Sequence, residues 1–249
     1  GRALIFVDPF AEIDMSATDP ATMAAGSSST LAPLFSAWGV EFAPENVVAD
    51  DRYALSVNSG LGGRPVRHVG LLGLNELALN NEDIVTSNLG SINLGTAGHF
   101  TLAEESEATL VPLLTSSTSA ATLPTIQFQF LSDPAALMDS FTPSGESYVL
   151  AARLEGPLTT AFPDGPPDGD EEPADDALTD AGEVAQEEDI TPADHLTSAE
   201  SANIILVGDV DILSDRLWAQ RQNFFGQQLV TAFANNGDFV VNSLDNLSG

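Results

Sequence analysis

Cysteine and lysine are missing from this chain, and positive charge is scarce. None of its 249 residues is cysteine. That excludes disulfides, thiolate zinc sites and a cysteine nucleophile, but it does not identify a compartment. Lysine is absent as well: the seven basic residues are Arg2, Arg52, Arg64, Arg67, Arg153, Arg216 and Arg221. A phosphate-cradling P-loop needs its lysine, so this chain is not an ATPase. Serine–lysine and lysine Schiff-base mechanisms fall for the same reason. Against seven arginines stand 37 acids, for a formal charge of −30. Such a charge repels phosphate backbones and anionic headgroups, so nucleic acid is excluded as a partner. The three histidines, His68, His99 and His195, are scattered. A zinc site without thiolates needs clustered histidines, so no metal and no cofactor is expected. No apolar run reaches the ~18 residues of a membrane span, and Gly1-Arg2-Ala3-Leu4-Ile5-Phe6-Val7 is too short for a signal core. The opening has no initiator methionine, its first residues already read as a core strand, and Asn246-Leu247-Ser248-Gly249 stop at a helix end. The pattern is that of a piece cut from a longer protein.

What is present is enough for a real core. The hydrophobic content is 43%, and a soluble chain of this size buries roughly 75% of its unfolded surface. Part of the acidity is local: Asp164 to Glu200 holds 14 acids and no base. Pro163, Pro166, Pro167 and Pro173 sit among them. Such a stretch cannot bury enough apolar area to offset its ordering entropy, so residues 163–200 read as an acidic disordered linker or insertion. The rest of the chain is acidic too, which suits both a high-salt habitat and a genomic bias against lysine codons.

Residues 3–7 and Asn203-Ile204-Ile205-Leu206-Val207 are apolar runs without alternation, the mark of strands buried on both faces. Each ends in an aspartate turn, and the two are expected to be partners in one sheet. Between them, Leu31, Leu34, Phe35 and Trp38 fall on one helical face. Thr30 is the expected cap and Gly39 the terminator. Residues 14–28 read as a loop. Residues 45–130 read as β-rich, with short runs at Val47-Val48, Tyr53 to Val57, Val66 to Leu72, Leu110 to Leu114 and Ile126 to Leu131. Ile126-Gln127-Phe128-Gln129-Phe130 alternates and predicts a strand with one face buried. Asp133-Pro134 opens a short helix, and Tyr148 to Leu154 is another strand. A helical region is expected from about Ser214 to Val230. A last helix from about Asn236 should present Phe239, Val240, Leu244 and Leu247 as its apolar face.

Few motifs carry chemistry. Gly60-Leu61-Gly62-Gly63 and Gly70-Leu71-Leu72-Gly73 do not complete a dinucleotide fingerprint and read as tight turns. Asp168-Gly169-Asp170-Glu171-Glu172 lacks EF-hand spacing and reads as a solvated spacer. Asn235-Asn236-Gly237-Asp238 reads as a turn and helix start. The most suggestive cluster is Gly208-Asp209-Val210-Asp211-Ile212-Leu213-Ser214-Asp215. Carboxylates at the end of a parallel strand sit where α/β proteins place ligands, and Asp209 with Asp211 would suit a hard cation with a phosphate. In the plainer reading Asp209 closes the turn and Ser214 or Asp215 caps the next helix.

Several stretches together resemble a known family. Ala3-Leu4-Ile5-Phe6-Val7-Asp8-Pro9-Phe10, Ala37-Trp38-Gly39-Val40 and Leu89-Gly90-Ser91-Ile92-Asn93-Leu94 look like segments of the GldG-like auxiliary proteins of ABC transporters. Gly208 to Trp218, Asn223 to Gln227 and Phe233 to Val240 resemble that family's C-terminal signature. The resemblance implies a membrane-anchored subunit, similar to a gliding-motility component, that accompanies a separate ABC ATPase and permease. It also implies a region like the GIFT domain, which is Rossmann-like. It supplies no catalytic residue set. The anchors would lie outside this chain, and the chain itself on the periplasmic or extracytoplasmic face of the inner membrane.

The expected fold is therefore α/β: a Rossmann-like layered sheet with an additional β-rich segment and a long acidic disordered insertion. Residues 1–162 form the first part of the core, 163–200 the insertion, and 201–249 the returning strand and C-terminal helices of the same domain. The expected role is a non-catalytic binding or scaffolding domain, with Asp8, Asp14, Asp209, Asp211 and Asp215 as its functional edge. The alternative is a metal-assisted hydrolase or carbohydrate-processing domain using the same aspartates, and it requires at least two of Asp8, Asp209 and Asp211 to converge.

Overall fold

The computed structural model describes residues 1–12, 28–58, 64–130, 133–165, 196–224 and 227–249. The fold is mixed α/β and sheet-rich, with 43% of the described residues in strands against 19% in helices, divided among several sheets. Two strands from opposite ends of the sequence organise it. β1 (Arg2–Phe6) pairs in parallel with β11 (Ser198–Val207), from Arg2 opposite Asn203 to Phe6 opposite Val207. The two apolar runs are partners, as their composition predicts. β10 (Val149–Thr159) lies antiparallel to β11. β10 also pairs antiparallel with β8 (Thr109–Thr115) and meets β7 (Phe100–Leu102) at Val149, and β7 carries β2 (Val40–Phe42). In this six-stranded sheet only the β1–β11 pairing is parallel.

Both faces of the central strands are buried, which explains the absence of alternation. Ile205 and Val207 enter one core cluster with Leu72, Leu94, Leu113 and Phe239. Ile204 and Leu206 enter another with Phe35, Val40, Phe100 and Leu154. The second cluster is covered by α1 (Ala32–Trp38), which ends at Gly39 with φ 67°. A side chain is disfavoured in that left-handed conformation. The first cluster is covered by the remaining sheets and the C-terminal helix. β3 (Asn46–Asp50) pairs with β9 (Ala120–Pro124), and β4 (Ala54–Asn58), β5 (Pro65–Asn75) and β6 (Ser91–Gly95) form a meander.

Several expectations need correction. Ile126–Phe130 is a short helix, α2, not a strand. Its Phe128 ring lies against Gly70, where an added Cβ would come within 2.3 Å of it, so a tertiary contact overrides a two-residue period five residues long. Thr30 does not cap α1: Leu31 holds that position in a left-handed conformation, with no side-chain cap. Asp133 does cap α3 (Pro134–Ser140), accepting from the Ala135 N–H. The expected helix over 214–230 is only α4 (Asp215–Trp218); β12 (Ala219–Phe224) and β13 (Gln227–Ala232) then form a hairpin. Its polar Gln and Asn residues give no 3.6-residue apolar stripe to hold a helix on the body. The last helix, α5 (Asn236–Ser248), buries Asn236, Phe239, Ser243 and Leu247, while Leu244 is 52% exposed and leaves the predicted face. The acidic stretch from 166 to 195 and the loop from 13 to 27 lie outside the described residues. β11 begins at Ser198, inside the span assigned to the insertion.

Candidate functional site

The C-terminal ends of β1 and β11 lie side by side, so the turns that follow them share one edge of the sheet. After β1, Val7 donates to the Val207 carbonyl and Asp8 is fully buried. After β11, Gly208 passes so close to Gly98 that a Cβ would stand 2.7 Å from the Gly98 carbonyl oxygen. Only glycine fits there. Asp209 follows, fully buried, and Asp211 opens a 3-10 turn, Asp211–Leu213.

The structure brings Asp8, Asp209 and Asp211 together: one carboxylate oxygen from each lies within 4.8 Å of the others. Two predicted residues are not in this group. Asp14 lies outside the described residues. Asp215 sits in the first turn of α4 and forms an ion pair with Arg221, while Ser214 caps that helix by accepting from the Arg216 N–H.

Each clustered carboxylate also closes backbone. Asp8 accepts from the Phe10 N–H at 2.7 Å and, through its other oxygen, from the Val210 N–H at 2.9 Å. One oxygen of Asp209 accepts from Gly95 N–H at 2.7 Å, and the other from Ile212 N–H at 3.2 Å. Asp211 accepts from the Glu12 N–H at 2.9 Å. Three chain segments, after β1, after β6 and after β11, are thereby tied through carboxylates. The electrostatics are unfavourable in isolation. Burial pushes the Asp8 carboxyl up to about 8, assisted by the charge of Asp211 and opposed by its backbone donors. Burial and the charges of Asp8 and Asp211 hold Asp209 well above the usual carboxylate range. Glu12 is raised by burial and by Asp211, against the pull of Arg216.

Sequence reasoning missed the third segment. Thr96, with φ 52°, donates through its hydroxyl to the Phe10 carbonyl at 2.7 Å, and Gly98 N–H donates to the Gly208 carbonyl at 2.7 Å. The available signal was the run Gly95-Thr96-Ala97-Gly98, where two glycines permit close backbone approach. Asn235 and Asn236 do more than start a helix. The Asn235 side chain accepts from Gly90 and Ser91 N–H, and fully buried Asn236 accepts from Asn93 N–H and donates to the carbonyls of Asn93 and Ile212. These bonds fasten β6 to the turn that carries Asp211.

The family model described as ABC-type uncharacterized transport system matches residues 1–243, nearly the whole chain. The chain belongs to that family. Its members are auxiliary proteins of ABC transport systems, which is consistent with a non-catalytic accessory role and implies association with ABC transporter components. No curated protein and no solved structure matches the chain. Within this ABC auxiliary chain, no helix among the described residues is long and apolar enough to cross a membrane.

Proposed function

We propose that the chain is the extracytoplasmic binding or scaffolding domain of an ABC transporter auxiliary subunit of the gliding-motility-like, GldG-related kind, without chemistry of its own. Its parent protein is anchored in the inner membrane outside this chain, and the β1–β11 unit is the Rossmann-like, GIFT-like part of it. The family match supports the transport setting. The observation that carries the non-catalytic reading is the use made of the strand-end acids: both oxygens of Asp8 and both of Asp209 accept backbone N–H groups that close turns. Buried carboxylates engaged in that way shape an edge that partners or cargo can read. The test is affinity purification of the full-length protein with its genomic neighbours co-expressed, followed by mass spectrometry. Recovery of an ABC ATPase and permease in a stable complex supports the reading; a clean preparation without either overturns it.

A second reading, metal-assisted hydrolysis or carbohydrate processing, has one observation in its favour: Asp8, Asp209 and Asp211 meet the condition of convergence. Hard cations take oxygen ligands at roughly 2.0–2.6 Å, and a compact trio of carboxylates suits one. Calorimetric titration with Mg²⁺ and Ca²⁺ decides it. Stoichiometric binding that disappears in Asp211→Ala would favour the metal reading, and its absence would remove it.

A further inference from the structure

Beside the carboxylate cluster, the sheet edge opens into a cleft of about 250 Å³ between the ends of the β1–β11 pair, the β4–β5–β6 meander and α4. This is below the ~300 Å³ at which pockets for drug-sized ligands begin, so its occupant is small. One wall is apolar, built by Leu55, Leu71, Leu217 and Phe233. The other carries three charged residues, Glu12, Asp211 and Arg216. Arg216 is exposed, and its guanidinium makes no hydrogen bond or ion pair with any described residue. Gly95 forms part of the floor, where a Cβ would stand 3.5 Å from Leu71, 3.7 Å from Leu217 and 3.9 Å from Asp211. Those are ordinary contacts, so the backbone leaves a space there that a methyl group would fill.

The lining restricts the ligand. A neutral apolar molecule would desolvate three charged side chains without pairing any of them. An anion would satisfy Arg216 but face Glu12 and Asp211. A simple cation would satisfy the acids and oppose Arg216. A molecule with both charges and a short apolar body meets each wall with its complement.

We propose that this cleft binds a small zwitterion with an apolar side chain, the free apolar α-amino acids being the simplest class, its ammonium toward Glu12 and Asp211 and its carboxylate toward Arg216. This deepens the binding role proposed above by naming what the strand-end edge recognises. The test is isothermal titration calorimetry on the full chain with L-alanine, L-leucine and L-phenylalanine, alongside 3-methylbutylamine and 4-methylpentanoate, which keep leucine's body with one charge each. At least one amino acid should bind saturably with one site. Each single-charge probe, and the amino acid on Arg216→Gln, should bind about tenfold more weakly or worse, the factor given by ~1.4 kcal/mol. Gly95→Ala, which fills the floor without a clash, should keep the parent's melting temperature and lose binding by a similar factor. Silence with all three amino acids up to about 10 mM, where affinity falls below roughly 3 kcal/mol, overturns the proposal, as does any single-charge probe that matches the amino acid. The outcomes separate the two claims: silent calorimetry with a recovered ABC complex removes only the ligand, and saturable binding with no complex removes only the transporter setting.

Discussion

Two of the places where the molecule buries ionisable groups solve the problem in opposite ways. At the strand ends, Asp8, Asp209 and Asp211 bring like charges within 4.8 Å, compensated by backbone N–H groups. Elsewhere in the same sheet, Arg153 in β10 is 5% exposed, and each of its guanidinium nitrogens has a partner. Its guanidinium binds Asp83 through two bonds of 2.8 and 2.9 Å, and also donates to the side chains of Asn203 in β11 and Asn246 in α5. Burial alone would raise Asp83, but the hydrogen bonds and charge of Arg153 outweigh it and hold that carboxyl below the usual range. The neutralised site behaves as a fastener across three elements. The like-charged site is a place where protons, salt or a ligand can change the balance.

The largest expected effect comes from breaking the neutral site. Arg153→Leu leaves Asp83 buried without its partner and should cost about 3–5 kcal/mol in urea unfolding. Adding Asp83→Leu should recover a substantial part of that loss, since removing both charges is far cheaper than stranding one. At the acidic site, Asp209→Ala leaves the Gly95 and Ile212 N–H groups without their acceptor but also relieves the crowding of three carboxyls. It should cost about 1–3 kcal/mol at mildly acidic pH, and the penalty should shrink as the pH rises toward the Asp8 value of about 8.

The pH dependence of the parent sharpens the contrast. Asp8 is raised on folding, so between about 4 and about 8 the folded state holds a proton that the unfolded state has released, and Asp209, raised well above the usual carboxylate range, acts in the same direction. Their contribution is complete at low pH and is lost as the pH climbs through that window. Asp83 is depressed, so its contribution is present above the ordinary carboxylate value and is lost as the pH falls below it. Melting temperature should therefore decline from about pH 5 to about pH 8.5, and Asp209→Ala should flatten that decline, whereas Arg153→Leu combined with Asp83→Leu should leave its slope unchanged. A slope that survives Asp209→Ala would place its origin elsewhere. The smallest effect should come from salt. If acidity is a high-salt adaptation, molar KCl should raise the melting temperature of parent and Asp209→Ala alike, because screening acts on the exposed charges far more than on the buried cluster.

The parts legible in the sequence were those coded by neighbouring residues. Unbroken apolar runs marked β1 and β11 as partners, although β1 is a half-buried edge strand and only β11 is buried on both faces, and their terminal aspartates pointed to the shared edge where Asp8, Asp209 and Asp211 meet. Gly39 and Asp133 announced their helix ends. What was illegible depends on distant contacts. Arg153 interrupts an otherwise apolar strand, and nothing nearby shows that its partners are Asp83, Asn203 and Asn246. The alternation of residues 126–130 is a strand signal that the packing of Phe128 at Gly70 defeats. The cleft draws its walls from six separate segments, so no local pattern encodes it.

The parallel register of β1 with β11 also has a consequence in time. Arg2 waits for Asn203 before it can pair, and a ribosome adding about 5–20 residues per second needs roughly 10–40 s to cover that interval. Throughout it, an apolar strand whose two faces end up packed on the two core clusters has no neighbour in its sheet. The edge that gathers the aspartates is among the last things the emerging chain can complete, and during synthesis β1 is the segment most in need of protection from other chains.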